Sequence, residues 1–213
     1  MNIYAVADLH GRRERLDRIG SHAARLRPDV VVIAGDITGQ GDHDALLHRL
    51  NDLPAPLLTV RGNMDSREME TLLDRYANIL SLDRGEATIQ GVHFVGLGGT
   101  IPIPFSSKIC LRERRRIEET DHLIGRNSVL VAHPPPYGTL DEGFGNLHAG
   151  SRGLRRLILD RQPRLFICGH IHERPGWAFL GKTLVVNCSM GRSGAGAWIG
   201  METGREPTVE MLA

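Results

Sequence analysis

Seven side chains able to bind a divalent metal ion fall in five short segments of this chain, and each segment closes a hydrophobic run. They are Asp8 and His10 in Asp8-Leu9-His10, Asp36 after Gly35, Asn63 after Gly62, His133 after Val129–Ala132, and His170 and His172 in Gly169-His170-Ile171-His172. Imidazole suits zinc, iron and nickel, whereas carboxylate and amide oxygens suit manganese and magnesium, so the mixed set points to manganese, iron or zinc without deciding among them. The set is large enough for two ions, and two adjacent ions are an established device for cleaving phosphate esters. Read singly, each residue has a plainer explanation. Asp8 and Asp36 could cap helices or sit in turns, Asn63 could be a turn residue, and His133 could be an ordinary loop histidine. Recurrence of all five segments at strand-like ends in one chain argues against five separate coincidences.

The elements that must position these residues are legible as alternating patterns. Ile3–Ala7, Val30–Ala34 and Leu57–Val60 are short apolar runs, and Val30–Ala34 is rich in β-branched residues, as expected of a strand buried on both faces. Between them, Arg12–Leu26 carries apolar residues at helical spacing, Asp42 could cap a helix through Leu50, and Asp65–Tyr76 reads as helical. The βαβαβα order predicts a mainly parallel sheet with right-handed crossovers. Asp8, Asp36 and Asn63 are nearly evenly spaced, each interval fitting one strand, helix and strand. Ligands in open α/β sheets bind beyond the carboxyl ends of the strands, so these residues should converge on one rim. Residues two apart in an extended segment point the same way, so Asp8/His10 and His170/His172 can each grip one ion or straddle two. Gly35, Gly62 and Gly169 each precede a ligand and let the backbone turn sharply or approach the site closely.

Beyond Leu80 the pattern changes. Ala87–Gln90 and Val92–Gly96 read as strands around a turn at Gly91, Leu97–Phe105 as a loop, Cys110–Ile124 as a charged helix and Val129–Ala132 as a buried strand. A long loop, Pro134–Gly150, leads to Ser151, a plausible cap for a helix through Leu159. Leu165–Cys168 is a further strand, and Trp177–Leu180, Thr183–Val186, Ala195–Met201 and Thr208–Leu212 read as short antiparallel strands. Two sheets with helices outside them is the assembly this order favours.

Composition limits the partners. The 213 residues suit one domain, 1–213, with a sizeable core. With 26 basic and 25 acidic residues there is no bulk pull toward nucleic acid or a membrane surface. No apolar run approaches the roughly 20 residues of a membrane helix. A cleaved signal peptide would remove Asp8 and His10, so none is expected; a cytoplasmic location is the expectation. Cys110, Cys168 and Cys188 are odd in number and widely spaced, and read as free thiols, with Cys168 and Cys188 as small core residues. The run Arg112-Glu-Arg-Arg-Arg-Ile-Glu-Glu contains its own counter-charges and no aromatic residues, so it reads as a solvated helix face.

The order Asp-x-His, Gly-Asp, Gly-Asn, His, Gly-His-x-His, running from Asp8 to His172, resembles the calcineurin-like metallophosphoesterase superfamily. The resemblance implies an α/β fold, a four-layer αββα sandwich of two mixed sheets, with a dimetal site on the rim between them. It implies that Asp8, His10 and His172 hold one metal, that Asn63, His133 and His170 hold the other, and that Asp36 bridges both. Two divalent ions are expected, manganese first, with iron, zinc or nickel as alternatives. The implied reaction is in-line attack on phosphorus by a hydroxide held between the metals.

The chain departs from the superfamily pattern beside Asn63. Much of the superfamily follows Gly-Asn with a histidine that assists the leaving group, and here the residue is Met64. A thioether can neither donate a proton nor carry charge, and side-chain proton transfer is worth roughly 10²–10⁴ in rate. Asp65 is expected to orient a neighbour or cap the next helix. Gly35-Asp36-Ile37-Thr38 lacks the Asp-Arg-Gly continuation of protein phosphatases and dinucleoside tetraphosphatases. The segment from His133-Pro-Pro-Pro through His148-x-Gly150-Ser151 to Cys168-Gly169-His170-Ile171-His172-Glu173 resembles a phosphodiesterase-like branch acting on small phosphodiesters, cyclic nucleotides included, and aryl phosphates. His148 is the candidate replacement acid, catalytic together with Asp36 and Asn63. Arg12, Asn63, His148 and Ser151 are candidate substrate contacts, Ser151 because a helix N-terminus seats phosphate. The reading is a phosphoric ester hydrolase acting on a small molecule, with nucleic acid disfavoured and oligomeric state open. The alternatives are a protein-interaction scaffold of the same fold, disfavoured by the complete ligand set, and a nuclease, disfavoured by the short chain.

Overall fold

The computed structural model describes the chain except for residues 40–42, 67, 84, 100–106, 144, 146 and 192, and except for the side chains of 70 and 107–112. The expected cap at Asp42, much of the Leu97–Phe105 loop and the Cys110 side chain lie outside the described residues.

The first half builds one sheet and its helices: β1 (Asn2–Val6), α1 (Arg13–Leu26), β2 (Val30–Ala34), α2 (His43–Asn51), β3 (Leu57–Val60), α3 (Glu68–Leu73) and β4 (Ile79–Ser81). A second sheet draws on β5 (Glu86–Ile89), β6 (Val92–Leu97), β7 (Val129–Ala132), β8 (Leu165–Cys168), β9 (Gly176–Leu180) and β10 (Thr183–Asn187), with helices α4 (Ser107–Thr120) and α5 (Arg152–Arg161). Strands β11 (Ala197–Gly200) and β12 (Thr208–Met211) return to the first sheet. The strand orders are β12-β11-β1-β2-β3-β4 and β5-β6-β7-β8-β10-β9. Both sheets are mixed: β1, β2, β3 and β4 run parallel, as do β6, β7, β8 and β10, while β11, β12, β5 and β9 are antiparallel to their neighbours.

Period-two alternation sorts the side chains into layers. In β2, Val30, Val32 and Ala34 face the second sheet's Phe94, Val129, Val131 and Ile167, while Val31 and Ile33 face Leu16, Ile19, Leu47 and Leu50 of the first sheet's helices. On the far side, Leu130, Phe166 and Val185 pack against Leu154, Leu157 and Ile158 of α5. The result is the expected four-layer αββα sandwich. The sheets meet at one rim: the Ala7 N–H donates to the Cys188 carbonyl at 3.1 Å, and the Met190 N–H donates to the Ala7 carbonyl at 3.1 Å. Cys168 and Cys188 are buried and free, as expected.

Three elements differ from expectation. Among the described residues strand β4 is a short edge strand paired with β3 alone, leaving Leu80 about half exposed, so it offers no long apolar run to read. Helix α3 does not start at Asp65, because that carboxylate is occupied by other backbone groups, and it does not extend to Tyr76, because the residues after Leu73 form tight turns (Arg75 N–H to Leu72 O 3.2 Å, Tyr76 N–H to Leu73 O 3.0 Å). Helix α4 ends at Thr120, and Asp121–Leu123 follows as a 3-10 turn.

Candidate metal centre

Strand ends bring the seven residues to the rim where the sheets touch. Asp8, Asp36 and Asn63 follow β1, β2 and β3 of the first sheet; His133 and His170 follow β7 and β8 of the second. Asp36 Oδ2 is 3.4 Å from His133 Nε2 and 3.9 Å from His10 Nδ1, so one oxygen stands between the two groups. Around His133 Nε2 lie Asn63 Oδ1 at 3.1 Å and His170 Nδ1 at 3.3 Å. On the other side, Asp8 Oδ1 is 3.3 Å from His172 Nε2 and 3.9 Å from His10 Nε2, and the two histidine Nε2 atoms are 3.4 Å apart. Among the described residues, two groups have ligand atoms clustered tightly enough for an ion: Asp8, His10 and His172, and Asp8, Asp36 and His133. The second differs from the shell expected by resemblance in including Asp8, whose Oδ1 also lies 3.9 Å from His133 Nε2.

The donor set fits a cation. The His133 Nδ1–H donates to the Ala34 carbonyl at 2.8 Å, which turns Nε2 toward a carboxylate, an amide oxygen and another imidazole. A cluster of acceptors calls for positive charge among them. Asp8 Oδ1 is buried and has no hydrogen-bond partner, while its Oδ2 accepts from the His170 N–H at 3.0 Å. A buried orphan carboxylate oxygen aimed among imidazoles has the surroundings of a metal ligand.

The carboxylates draw positive charge into the site, a proton on His133 where no ion takes its place. Burial opposes ionisation of Asp8, yet the neighbouring His172, 3.3 Å from Oδ1, and the charge on His133 hold its carboxyl well below the usual range. Asp36 is likewise lowered: burial works against this, and His133 and the Met64 N–H outweigh it. Burial disfavours charge on His133, but Asp36 and Asp8 lift it to about 9; burial and the nearby His133 push His170 down to about 4.

The backbone here is strained. Asp8 (φ 63°), His10 (φ 51°), Asp36 (φ 52°) and His170 (φ 73°) occupy the left-handed region, which costs non-glycine residues of order 1 kcal/mol each. Four candidate ligands held in this way show that local stability is sacrificed to aim. Gly62 serves the same aim by close approach, since a Cβ there would lie 2.1 Å from Asp36 Oδ1 and 2.4 Å from the Asp36 backbone nitrogen. Gly62→Ala is therefore expected to displace the Asp36 carboxylate and lower kcat by about 10²-fold. Steady-state kinetics beside a Tm checks this, and an unchanged kcat would contradict it.

Several supporting residues become visible only in three dimensions. Asp65 accepts from the Thr38 N–H (2.9 Å), Thr38 Oγ1 (2.8 Å), the Ile37 N–H (3.2 Å) and the Gly62 N–H (2.9 Å), so it orients the Asp36 and Asn63 turns as expected. Arg15, buried on the inner face of α1, donates to the carbonyls of Asp8 and Gly191. Its one sequence signal is an arginine in the same helical stripe as Ile19 and Ala23. Arg61, directly before Gly62, is buried and paired with Asp83.

The remaining candidates fall at different distances from the ligands. Arg12 is exposed at the start of α1, two residues from His10. Met64 is 64% exposed, and its N–H donates to Asp36 Oδ1 at 2.8 Å. Ser151 is the cap of α5: its hydroxyl oxygen accepts from the Leu154 N–H at 2.9 Å, its O–H donates to Glu113, and it is buried. His148 is exposed and bonds to Asp141 rather than to any metal-site residue.

A family model described as calcineurin-like phosphoesterase matches residues 1–174. An uncharacterized protein of Methanocaldococcus jannaschii is 32% identical over 198 residues, covering 89% of this chain and 88% of that protein. A cAMP/cGMP dual specificity phosphodiesterase of Mycobacterium tuberculosis is 26% identical over 190 residues, covering 81% of this chain but 59% of that longer protein. Among solved structures, a protein of Thermus thermophilus superposes with a TM-score of 0.71 at 17% identity, covering 99% of this chain and 98% of that one. An archaeal phosphodiesterase does so with a TM-score of 0.59 at 14% identity, covering 100% of both chains. At such identities the structural likenesses speak to the fold.

Proposed function

The chain belongs to the calcineurin-like phosphoesterase family, and from that premise we propose that residues 1–213 act as one domain, a two-metal phosphodiesterase for small phosphodiesters of the cyclic-nucleotide, nucleotide or aryl type. The observation that carries the reading is the cluster of buried acceptors around His133 Nε2 and Asp8 Oδ1, which cations would satisfy. Asp8, His10 and His172 would hold one ion, Asn63, His133 and His170 the other, and Asp36 would serve both. Two divalent ions there would lower the pKa of a bound water and neutralise charge on the phosphate oxygens. The Ala34 carbonyl fixes His133 in the tautomer that presents Nε2. Asp65 keeps the turns of Asp36 and Asn63 together. Met64, exposed beside Asp36, cannot protonate a leaving group, which leaves that task to His148 or to a leaving group that needs no help. Arg12, exposed and two residues from His10, is the candidate to meet a phosphate oxygen, and Ser151 would act by holding the His133–Ser151 loop to α5.

A small substrate is supported by the fate of the basic run. Arg114 and Arg115 on α4 pair with Glu118 and Glu119 at 2.8 and 2.9 Å, so they do not form an unbalanced strip for nucleic acid. Among the described residues no helix is long and apolar enough to cross a membrane. The diester reading is tested by comparing kcat/KM for bis-p-nitrophenyl phosphate and p-nitrophenyl phosphate in Mn²⁺, with the diester expected to be the better substrate; a monoester preference would overturn it. Chelator-treated protein should gain about 2.7 kcal/mol of stability at Mn²⁺ one hundred times its Kd, visible as a rise in Tm, since an ion binding only the folded state stabilises it.

A further inference from the structure

The loop that starts at His133 carries a second polar constellation, separate from the ligands. Asp141 is buried to 1% exposure, and both its carboxylate oxygens are engaged. Oδ1 accepts from His148 Nδ1 at 2.8 Å, and Oδ2 accepts from the Gly150 N–H at 3.1 Å. The hairpin is closed by its backbone as well: the Ala149 N–H donates to the Asp141 carbonyl at 3.0 Å, and the Gly143 N–H to the Leu147 carbonyl at 3.0 Å. His148 keeps 39% of its side chain exposed. The Tyr137 ring lies 5.2 Å from the imidazole, and the Arg152 guanidinium lies 4.6 Å from the centre of that tyrosine ring.

This hairpin is tied to the metal site at two points. The Ser151 N–H donates to the Pro135 carbonyl at 2.8 Å, two residues after His133. Glu142 pairs with Arg174, two residues after His172. A buried carboxylate gripping one nitrogen of an exposed imidazole is more than a surface loop requires. A hairpin needs only its backbone bonds to close, and burial of a carboxyl group beside an exposed histidine goes beyond that. Which ring nitrogen carries the proton in a histidine is set by the bond the other makes.

We propose that Asp141 is a positioning residue of the reaction, fixing His148 as the Nδ1–H tautomer so that Nε2 is the nitrogen that serves the leaving group. This rests on the phosphodiesterase reading. A water-derived oxygen bonds to phosphorus and gives up its proton to solvent; as the bond between phosphorus and the leaving oxygen breaks, its electron pair stays on that oxygen, which takes the Nε2 proton. The imidazole is left neutral, still donating Nδ1–H to Asp141, and regains its proton from solvent before the next turnover. The groups facing His148 are Asp141 and Glu142 from its own hairpin, Tyr137 from the preceding segment and, beyond that ring, Arg152 of α5; Glu142 is itself paired to Arg174. The hydrogen bond and charge of Asp141 raise the His148 pKa, which favours the acid form.

Two substrates of one shape and different leaving groups decide the matter: bis-p-nitrophenyl phosphate and diphenyl phosphate, with the Mn²⁺-loaded protein. Asp141→Asn keeps an oxygen for the Gly150 N–H, and is expected to lower kcat on diphenyl phosphate by about 10²-fold, with less than about threefold on the nitrophenyl diester and little change in KM. His148→Ala, which leaves Asp141 on Gly150, should show the same selectivity, and the double variant should lose no more than either. A nitrogen-15 NMR titration of His148 gives a readout apart from activity: the wild type should show the Nδ1–H tautomer, and Asp141→Asn should titrate at lower pH. Equal losses on both substrates, or an unchanged His148 titration midpoint, would overturn the proposal. A wild type inactive on both diesters would instead refute the phosphodiesterase reading, while the NMR arm still judged the pairing.

Discussion

Asp36→Asn is expected to lower kcat on a phosphodiester by about 10³-fold or more, because it weakens an oxygen that stands between the two halves of the site. Asp36 Oδ2 is the atom within 3.4 Å of His133 Nε2 and 3.9 Å of His10 Nδ1, while Oδ1 is held by the Met64 N–H at 2.8 Å. Asparagine preserves the shape, and it tolerates the left-handed backbone better than most residues, so φ 52° can persist. What it loses is charge. The variant should retain its Tm, bind fewer than two ions per chain by elemental analysis, and turn over slowly even at saturating Mn²⁺. Retained activity with two ions bound would remove Asp36 from the bridging role.

The second large effect concerns stability. Asp65→Ala should destabilise the protein by about 3–5 kcal/mol, since it strips partners from three buried backbone N–H groups and a threonine hydroxyl at once. For a chain of this size that corresponds to a Tm lower by roughly 10 °C. The same bonds hold the Asp36 and Asn63 turns, so Mn²⁺ affinity should fall together with Tm. Thermal and urea unfolding, each with and without Mn²⁺, check both. A Tm within about 2 °C of wild type would show that the turns hold themselves.

The strain at the ligands makes sense of this clamp. Asp8, His10, Asp36 and His170 sit in backbone conformations that local forces disfavour. Asp65, Arg15 and the packed glycine at position 62 supply the surrounding structure that keeps them there. The three apolar layers behind the rim offset the strain at its edge.

How much of this could be read from the residues follows from how locally each feature is specified. Val30–Ala34 and Leu165–Cys168 announce themselves as buried strands, and the residue that follows such a strand must emerge at its carboxyl end, so the ligand positions are legible. The αββα sandwich is legible too, partly from alternation and partly from a family resemblance. Strand β4 is not, because three residues paired on one side leave no pattern. The start of α3 is misread from sequence because Asp65 looks like a helix cap from its neighbours alone, whereas its carboxylate answers to Ile37 and Thr38 from a distant turn. Asp141 escapes notice for the same reason: the sequence flags His148, but nothing in it ties Asp141 to that side chain. Ser151 reads correctly as a cap, and the depth of its burial, with its hydroxyl committed to Glu113, comes only with the packing of α4 on α5.

The most direct test of the two-metal phosphodiesterase is a titration. Protein stripped by chelator should be inactive on bis-p-nitrophenyl phosphate, and activity should rise with added Mn²⁺ to a plateau near two equivalents per chain. Activity in the stripped protein, or none after full loading with Mn²⁺, would contradict the account.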